Sequence, residues 1–349
     1  MLNKERIFDL SRWVLGAVFS FSGIVKCVDP VGTSVFVEKY LATFSLDLLL
    51  PLALPIAILL SVVEFVLGQL LLNERPHRIT AVVTLVIMSL FTVVTLLNAT
   101  ILPIGDCGCF GDAIRLTPLQ TLLKNIALLP LSVLMLVGAR RGRFNYLSTI
   151  IALVISLGVC LYALRHQPLI DFMPYRKGVN LSSEIVRERE LAQEQTTTSL
   201  VFRTAEGEEL LFASSDTECW LRDDIEFVES RTETSIAEPL PFAEFVITNS
   251  EGEDVTLELL ASHADAKILC ISSLESLSGR RLEAVRELLR ADDSVVVLTS
   301  ADVAKMHVIL GVEPYSLDAM TLRSFIRSRV GIVELRDGVI TRKCDIRDL

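Results

Sequence analysis

Two cysteines separated by one glycine stand in the segment Gly105-Asp-Cys-Gly-Cys-Phe-Gly-Asp112. A disulfide between Cys107 and Cys109 would close a very small ring, and a bond forced away from ordinary disulfide geometry is strained and easily reduced. Gly108 permits the backbone torsions that this ring needs, and Gly111 gives the loop similar freedom. The spacing therefore favours thiol-disulfide chemistry in this loop.

Three interpretations of this pair stay open. The thiols take part in thiol-disulfide exchange, form a static bridge within the loop or to Cys27 or Cys160, or bind a soft metal such as Cu(I) or zinc. The carboxylates of Asp106 and Asp112 would repel a thiolate, which argues against a permanently activated thiol. No histidine cluster accompanies the cysteines, so no metal site is predicted.

The composition predicts that the loop belongs to a membrane domain. The 349-residue chain is 51% hydrophobic and has a mean hydropathy of +0.50, yet its formal net charge is -10. Residues 1–164 carry a formal charge of +3 and residues 165–349 carry -13, so an apolar half precedes an acidic, soluble half. Such an acidic surface repels phosphates and excludes a nucleic-acid partner.

Five apolar stretches have close to the roughly 20 residues that a bilayer-spanning helix needs. They cover residues 10–28, 48–72, 79–99, 119–137 and 145–164. The first is predicted to be a retained helix, because no small-residue cleavage site follows Cys27. The pattern predicts an all-α transmembrane bundle in a lipid bilayer.

Basic residues near the span ends predict the orientation, because they stay cytoplasmic. Arginines and lysines collect at the N-terminus and in alternate loops, at 75–78 and 140–143. The N-terminus is therefore predicted inside, with the loop at 100–118 and the chain after about residue 165 outside. In a bacterium this describes an inner-membrane protein with a periplasmic C-terminal half, in a compartment where disulfides persist.

An acidic residue, Glu64, interrupts the second span. A carboxylate within the hydrocarbon layer costs a few kcal/mol unless it is paired, hydrogen-bonded or protonated, so Glu64 is predicted to face the bundle interior. Counting along the span places it on the cytoplasmic half, near the level of Ser20 and Ser22. It is interpreted either as a structural hydrogen-bond hub or as a contact for protons or a quinone.

The second half of the chain has soluble α/β (α+β) patterns. Residues 165–198 predict a short exposed helix or a tether, and the stretches 200–203 and 209–212 predict a β-hairpin. After these, strands are predicted at 243–248, 267–272, 294–299, 331–335 and 339–343, with helices at 276–290, 301–310 and 318–328. The alternation indicates a mixed sheet covered by helices.

Three motifs carry a family resemblance: Gly16-x-x-Phe-x-x-Ser-Gly-x-x-Lys26, Glu64-Phe-Val-Leu-Gly68 and Asp106-Cys-Gly-Cys-Phe-Gly111. Over about residues 5–140 they resemble the DoxX-like and methylamine-utilisation MauE group of bacterial inner-membrane proteins. The resemblance implies a four-helix membrane domain at 1–140, followed by a fifth transmembrane helix at 141–166. It also implies a link to quinone-dependent or disulfide-forming systems, with MauE associated with maturation of a disulfide-rich periplasmic enzyme subunit.

The predicted site combines these motifs. Cys107 and Cys109 are the candidate redox pair, and Glu64 is the candidate intramembrane proton or quinone contact. The supporting residues are Lys26, Cys27, Asp106, Gly108, Phe110, Gly111, Asp112 and Cys160. Cys27 and Cys160 are predicted near the same outer level of the bundle, where the simplest interpretation is that both are small buried hydrophobes.

Residues 241–349 resemble a degenerate thioredoxin-like domain, joined to the membrane domain by a tether and hairpin at 167–240. Lys267 to Ser272 would be the strand that leads to the active-site loop, but no Cys-x-x-Cys follows it, and Val330 stands where a cis-proline is expected. The resemblance therefore implies a binding module rather than a second catalyst. Cys270 is predicted to be an inert core residue, and a pairing of Cys219 with Cys344 stays open.

Two hypotheses of function follow. In the first, the protein is a membrane thiol-disulfide oxidoreductase or maturation factor that exchanges disulfides with a periplasmic client, with a quinone as the possible cofactor. In the second, it is a non-catalytic assembly factor whose loop disulfide is structural and whose outer domain binds a partner. The sequence leaves open whether the protein is an enzyme.

Overall fold

The structure is a computed structural model, and its described residues fall into two compact units. They are residues 4–73, 77–101, 108–114, 116–139, 146–194, 196–204, 207–213, 216–222, 224–234 and 240–349. Unit 1 comprises Met1–Met173 with Asp348–Leu349, and unit 2 comprises Pro174–Arg347. Cys107 and Asp106 lie outside the described residues.

Unit 1 is helical. Its helices are α1 (Lys4–Val28), α2 (Pro30–Thr43), α3 (Ala53–Asn73), α4 (Arg78–Thr100), α5 (Pro118–Gly138) and α6 (Tyr146–Arg165), and a 3₁₀ turn at Asp47–Leu52 precedes α3. Among the described residues, five stretches are long and apolar enough to cross a membrane: Glu5–Val28, Asp47–Asn73, Arg78–Thr100, Pro118–Gly138 and Tyr146–Arg165. The five predicted spans are confirmed, with ends shifted by a few residues.

Helix α2 was not predicted. The Asp29 carboxylate caps it by accepting a hydrogen bond from the Gly32 backbone N–H at 2.8 Å, and Pro30 occupies its first turn, where the missing N–H costs nothing. The cap and the proline directly follow the first span, so an Asp-Pro signal was present in the sequence.

Two glycines allow α1 and α3 to pack closely. A Cβ atom on Gly23 of α1 would lie 2.4 Å from the Phe65 backbone nitrogen, and one on Gly68 of α3 would lie 2.3 Å from the Ser20 backbone nitrogen. Small residues at such positions let transmembrane backbones approach each other. The two glycines therefore fix the side-by-side register of α1 and α3.

Unit 2 begins with α7 (Leu181–Glu194) and a three-stranded sheet of order β2-β1-β3. The strands are β1 (Thr196–Thr204), β2 (Glu209–Ala213) and β3 (Ile225–Thr234), all antiparallel. The β1–β2 pairing agrees with the predicted hairpin. The third strand was missed, because after Val228 its residues are all polar or charged.

The larger sheet has the order β4-β7-β6-β5-β8-β9. Its strands are β4 (Ile247–Thr248), β5 (Lys267–Ile271), β6 (Val296–Thr299), β7 (Tyr315–Leu317), β8 (Val330–Arg336) and β9 (Val339–Asp345), and its helices are α8 (Thr256–Ser262), α9 (Arg280–Ala291), α10 (Val303–Leu310) and α11 (Ala319–Phe325). Strands β5, β6 and β7 are parallel, whereas β4, β8 and β9 pair antiparallel. The predicted mixed sheet is confirmed.

The sheet has an apolar cluster on each face. Ile268 and Cys270 of β5 contribute to one cluster, and Leu269 and Ile271 contribute to the other, as the alternation of a strand requires. Leu181 and Ile185 of α7 are fully buried in the first cluster. Helix α7, which was predicted to be exposed or a tether, is therefore part of the folded unit.

We expect Gly68→Ala to destabilise unit 1 by about 1–3 kcal/mol, because the added methyl group meets backbone atoms that cannot rotate away. Gly158→Ala is the matched control, since a Cβ on Gly158 of α6 meets nothing within 4 Å. The measurement is the thermal midpoint of each purified variant in detergent. Equal midpoints for the two variants would contradict the close α1–α3 contact.

Candidate functional site

The centre of unit 1 holds a buried ion pair. The Glu64 side chain of α3 is 0% exposed and the Lys26 side chain of α1 is 3% exposed. Lys26 Nζ lies 2.6 Å from Glu64 Oε1 and 2.8 Å from Oε2. The prediction that Glu64 faces the bundle interior agrees with this position, and Lys26 is the partner that offsets the cost of burying the carboxylate.

A hydroxyl joins this ion pair to the cysteine loop. Ser22 Oγ lies 2.5 Å from Glu64 Oε2 and 2.6 Å from the backbone carbonyl oxygen of Cys109, and it accepts a hydrogen bond from Lys26 at 3.1 Å. Ser22 and Lys26 are four residues apart on α1, so they lie on one face of the helix. We call Ser22, Lys26, Glu64 and the Cys109 carbonyl the Glu64 cluster.

The loop between α4 and α5 packs closely on the bundle. Gly108 and Gly111 have positive φ angles of 62° and 53°, which a side chain disfavours. A Cβ on Gly108 would also meet the Phe36 ring at 2.5 Å, whereas Gly111 faces Val25. A side chain is therefore disfavoured at both positions, and more strongly at Gly108, where it would also meet the Phe36 ring.

Aromatic and cationic side chains cover the Glu64 cluster. The Phe110 ring packs on Phe21 with centroids 5.3 Å apart, and Lys124 Nζ of α5 lies 4.4 Å from the Phe110 centroid. Asp112, another predicted supporting residue, is half-buried in the same loop. The loop thus presents its peptide backbone to the bundle and its aromatic ring to a cation.

A small cavity adjoins the Glu64 cluster. It has a volume of about 20 Å³, which is enough for one water molecule. The residues that line it include Ser22, Glu64, Phe91, Cys109, Lys124 and Asn125. Since this lining supplies polar groups from both the bundle and the loop, a water in the cavity would bridge them.

The predicted level of Glu64, near Ser22, agrees with the structure, but the contact of Glu64 with the loop through this serine was not predicted. The prediction assigned Glu64 to the cytoplasmic half and the loop to the outer side, but the structure joins Glu64 to the loop through Ser22. Counting residues along a span gives only the level of an α-carbon. It does not reveal that residues 108–111 fold against α1.

Sequence inspection missed three residues beside the Glu64 cluster: Phe91, Lys124 and Asn125. Asn125 donates a hydrogen bond to Thr95 at 3.1 Å and so joins α5 to α4. The available signal was the pair of polar residues Lys124 and Asn125 in the apolar fourth span, because intramembrane polar residues usually face a bundle interior.

Cys27 and Cys160 form a separate group. Both side chains are buried, at 2% and 0% exposure, and they pack with Val62 in one apolar cluster. The predicted common level of these two residues agrees with this contact.

The cysteines of unit 2 occupy other environments. Burial raises the pKa of the Cys270 thiol in β5 well above its ordinary value, which agrees with an inert core residue. Cys219 is a free thiol that donates to the Asp216 carbonyl oxygen at 3.0 Å, so it is not paired with Cys344. Both Cys219 and Cys344 are buried, although polar surroundings were predicted for them.

Comparison with known proteins gives one family. Residues 4–139 match the family model described as methylamine utilisation protein MauE. The match covers α1 to α5 with the whole Glu64 cluster, and it ends before α6 and unit 2. No curated protein and no solved structure matches the chain. Together, the five apolar helices and this match indicate a multi-pass membrane protein.

We expect Lys26→Met to destabilise the protein by about 3–5 kcal/mol, because the substitution leaves Glu64 buried without its cation. Adding Glu64→Leu should restore most of the loss, since a buried ion pair replaced as a whole by apolar residues is often neutral. Thermal midpoints in detergent measure both effects.

Lys39→Met on α2 is the control for this pair, because Lys39 is exposed and its ammonium group contacts the face of the Phe36 ring, at 5.7 Å, so its loss should change stability by less than about 1 kcal/mol. A Lys26→Met variant as stable as the Lys39→Met variant would show that the buried pair does not form.

Proposed function

We propose that this protein is a bacterial inner-membrane thiol-disulfide oxidoreductase or maturation factor that acts on a protein outside the cytoplasm through Cys107 and Cys109. The observation that carries the proposal is the hydrogen bond from Ser22 to the Cys109 carbonyl, which attaches the cysteine loop to a buried carboxylate. The similarity to methylamine utilisation protein MauE supports a role in maturation.

The proposed reaction moves one disulfide. The Cys107–Cys109 disulfide accepts two electrons and two protons from a client dithiol, so the client gains a disulfide and the loop becomes a dithiol. A membrane quinone then takes two electrons and two protons from the loop and becomes a quinol. This second step restores the loop disulfide.

In this proposed cycle, Ser22 links Glu64 to the cysteine loop. The Ser22 hydroxyl has one proton but lies at hydrogen-bond distance from two acceptors, Glu64 Oε2 and the Cys109 carbonyl. If Glu64 is ionised, Ser22 satisfies only one of them at a time. If Glu64 is protonated, it donates to Ser22, and Ser22 donates to Cys109. We propose that a change in the loop alters which of these two acceptors Ser22 serves and so reaches Glu64.

The proposed orientation follows from charge. Basic residues are concentrated at the N-terminus and in the connections at 75–78 and 140–143, whereas the cysteine loop connects spans on the opposite side. This distribution supports a cytoplasmic N-terminus. The loop and unit 2 then share the periplasm, where disulfides persist.

The proposed role of unit 2 is to bind the client. The order of β5, β6, β8 and β9 is consistent with a thioredoxin-like domain, and Ser272 and Ser273 follow β5 where a catalytic domain would carry cysteines. The same observation favours the second candidate function, a non-catalytic assembly factor. In that case Cys107→Ser with Cys109→Ser lowers protein abundance but leaves the redox state of every client unchanged.

The test follows Cys107 and Cys109 in membranes that are switched between oxidised and reduced quinone pools. After acid quenching and alkylation, peptide mass spectrometry should find the pair oxidised in the first condition and reduced in the second. In the Lys26→Met, Glu64→Leu variant we expect reoxidation to slow by roughly 100-fold, because a positioned acid–base group contributes about that much.

Lys39→Met is again the matched control and should cycle at the wild-type rate. A loop pair that stays in one redox state under both quinone conditions would rule out the exchange reaction. Wild-type reoxidation in the Lys26→Met, Glu64→Leu variant would remove Glu64 from the mechanism.

A further inference from the structure

A second pair of thiols lies within the membrane domain, away from the cysteine loop. Cys27 is in the last turn of α1 and Cys160 is near the end of α6, and both are free thiols that pack in one buried cluster. Helix α6 lies outside the region that matches MauE, which ends at residue 139. The thiol pair therefore includes a residue, Cys160, that lies beyond the region matching MauE.

The surroundings of these thiols are apolar. Ile58, Val62 and Val66 of α3 and Val159 of α6 pack around the two sulfurs. The charged groups that act on Cys27 are Glu64 and Lys26, which form an ion pair with each other. The site thus consists of two buried thiols that share one apolar cluster beside the Glu64 cluster.

Burial restricts what can oxidise this pair. Exchange with a protein disulfide requires access to the attacking sulfur, and these side chains are 2% and 0% exposed. A lipid-soluble two-electron oxidant avoids this restriction, because it approaches between helices from the bilayer. The seam between α3 and α6 also contains a cavity of about 290 Å³, lined in part by Phe65, Gln69, Ser148 and Ile155.

The cavity continues along the same helix faces as the thiols. On α3, residues 58, 62 and 66 contact the thiols and residues 65, 69 and 73 line the cavity. All six lie on the same face of the helix. On α6 the cavity ends at Ile155, about one turn before Val159 and Cys160. The near end of a ring-sized apolar molecule in this cavity, at Ile155, would therefore lie about one helical turn from the thiol cluster.

We propose that Cys27 and Cys160 form a dithiol–disulfide pair that a membrane quinone oxidises. In the reaction, two S–H bonds break and one S–S bond forms, and the two electrons and two protons reduce the quinone to a quinol. The product is a covalent link between α1 and α6. This step does not require the loop thiols to react.

The experiment uses the full-length protein with Cys107→Ser and Cys109→Ser, so that the loop cannot contribute. The purified protein is reduced, freed of reductant and exposed without oxygen to decylubiquinone. Acid quenching, alkylation under denaturing conditions and peptide mass spectrometry then report Cys27 and Cys160 separately, and absorbance reports the quinol. The wild-type chain is mapped in parallel, in case the double substitution impairs folding.

We expect a cross-linked Cys27–Cys160 peptide and one quinol per disulfide formed. Adding Cys160→Ser should abolish both signals and leave Cys27 alkylated, whereas adding Cys219→Ser, in unit 2, should change neither. If Cys27 and Cys160 remain alkylatable after quinone treatment in both the loop variant and the wild-type chain, the proposal is overturned. A quinone-dependent disulfide between either residue and any other cysteine would also overturn it.

The result is independent of the loop reaction. A quinone-dependent Cys27–Cys160 disulfide in the loop variant supports this pair even if Cys107 and Cys109 prove static. Conversely, cycling of Cys107 and Cys109 in membranes with Cys27 and Cys160 permanently reduced would leave the proposed function intact and remove the second pair.

Discussion

The buried ion pair between Lys26 and Glu64 is the interaction on which the membrane domain depends. A carboxylate and an ammonium group are stable inside an apolar bundle only if they are paired and their remaining hydrogen-bonding capacity is used. Lys26 reaches both carboxylate oxygens and Ser22, so this requirement is met. The pairing in turn requires α1 and α3 to approach closely, and Gly23 and Gly68 permit that approach.

The cysteine loop depends on the same pair. Ser22 is held by Lys26 and Glu64, and it contacts the backbone of Cys109 rather than a side chain. Phe36 leaves room only for a glycine at position 108, so the loop has little freedom to take another path. One buried charge pair thus positions the loop through its main chain at Cys109.

Much of the architecture could be predicted from the sequence. Five spans follow from apolar length alone, and the β5–α9–β6 order follows from alternating strand and helix patterns. The burial of Glu64 follows from the cost of a carboxylate in hydrocarbon. These features depend on composition within a short window.

The features that could not be predicted depend on contacts between distant segments. Lys26 was predicted only as a supporting residue, since nothing near it in the sequence indicates a carboxylate 38 residues away. The link from Glu64 to Cys109 needs three segments to meet, and the buried face of α7 becomes apparent only when Leu181 and Ile185 are seen in the core of the larger sheet. The Cys27–Cys160 contact was anticipated only as a common level.

The most direct test of the account is whether a change at the loop thiols reaches Glu64. A reduced-minus-oxidised infrared difference spectrum of the protein in lipid should contain a carboxyl band that is absent from Glu64→Gln and from Cys107→Ser with Cys109→Ser. If reduction of Cys107 and Cys109 is complete by alkylation but no such band appears, the loop and the buried carboxylate are not coupled and the account is wrong.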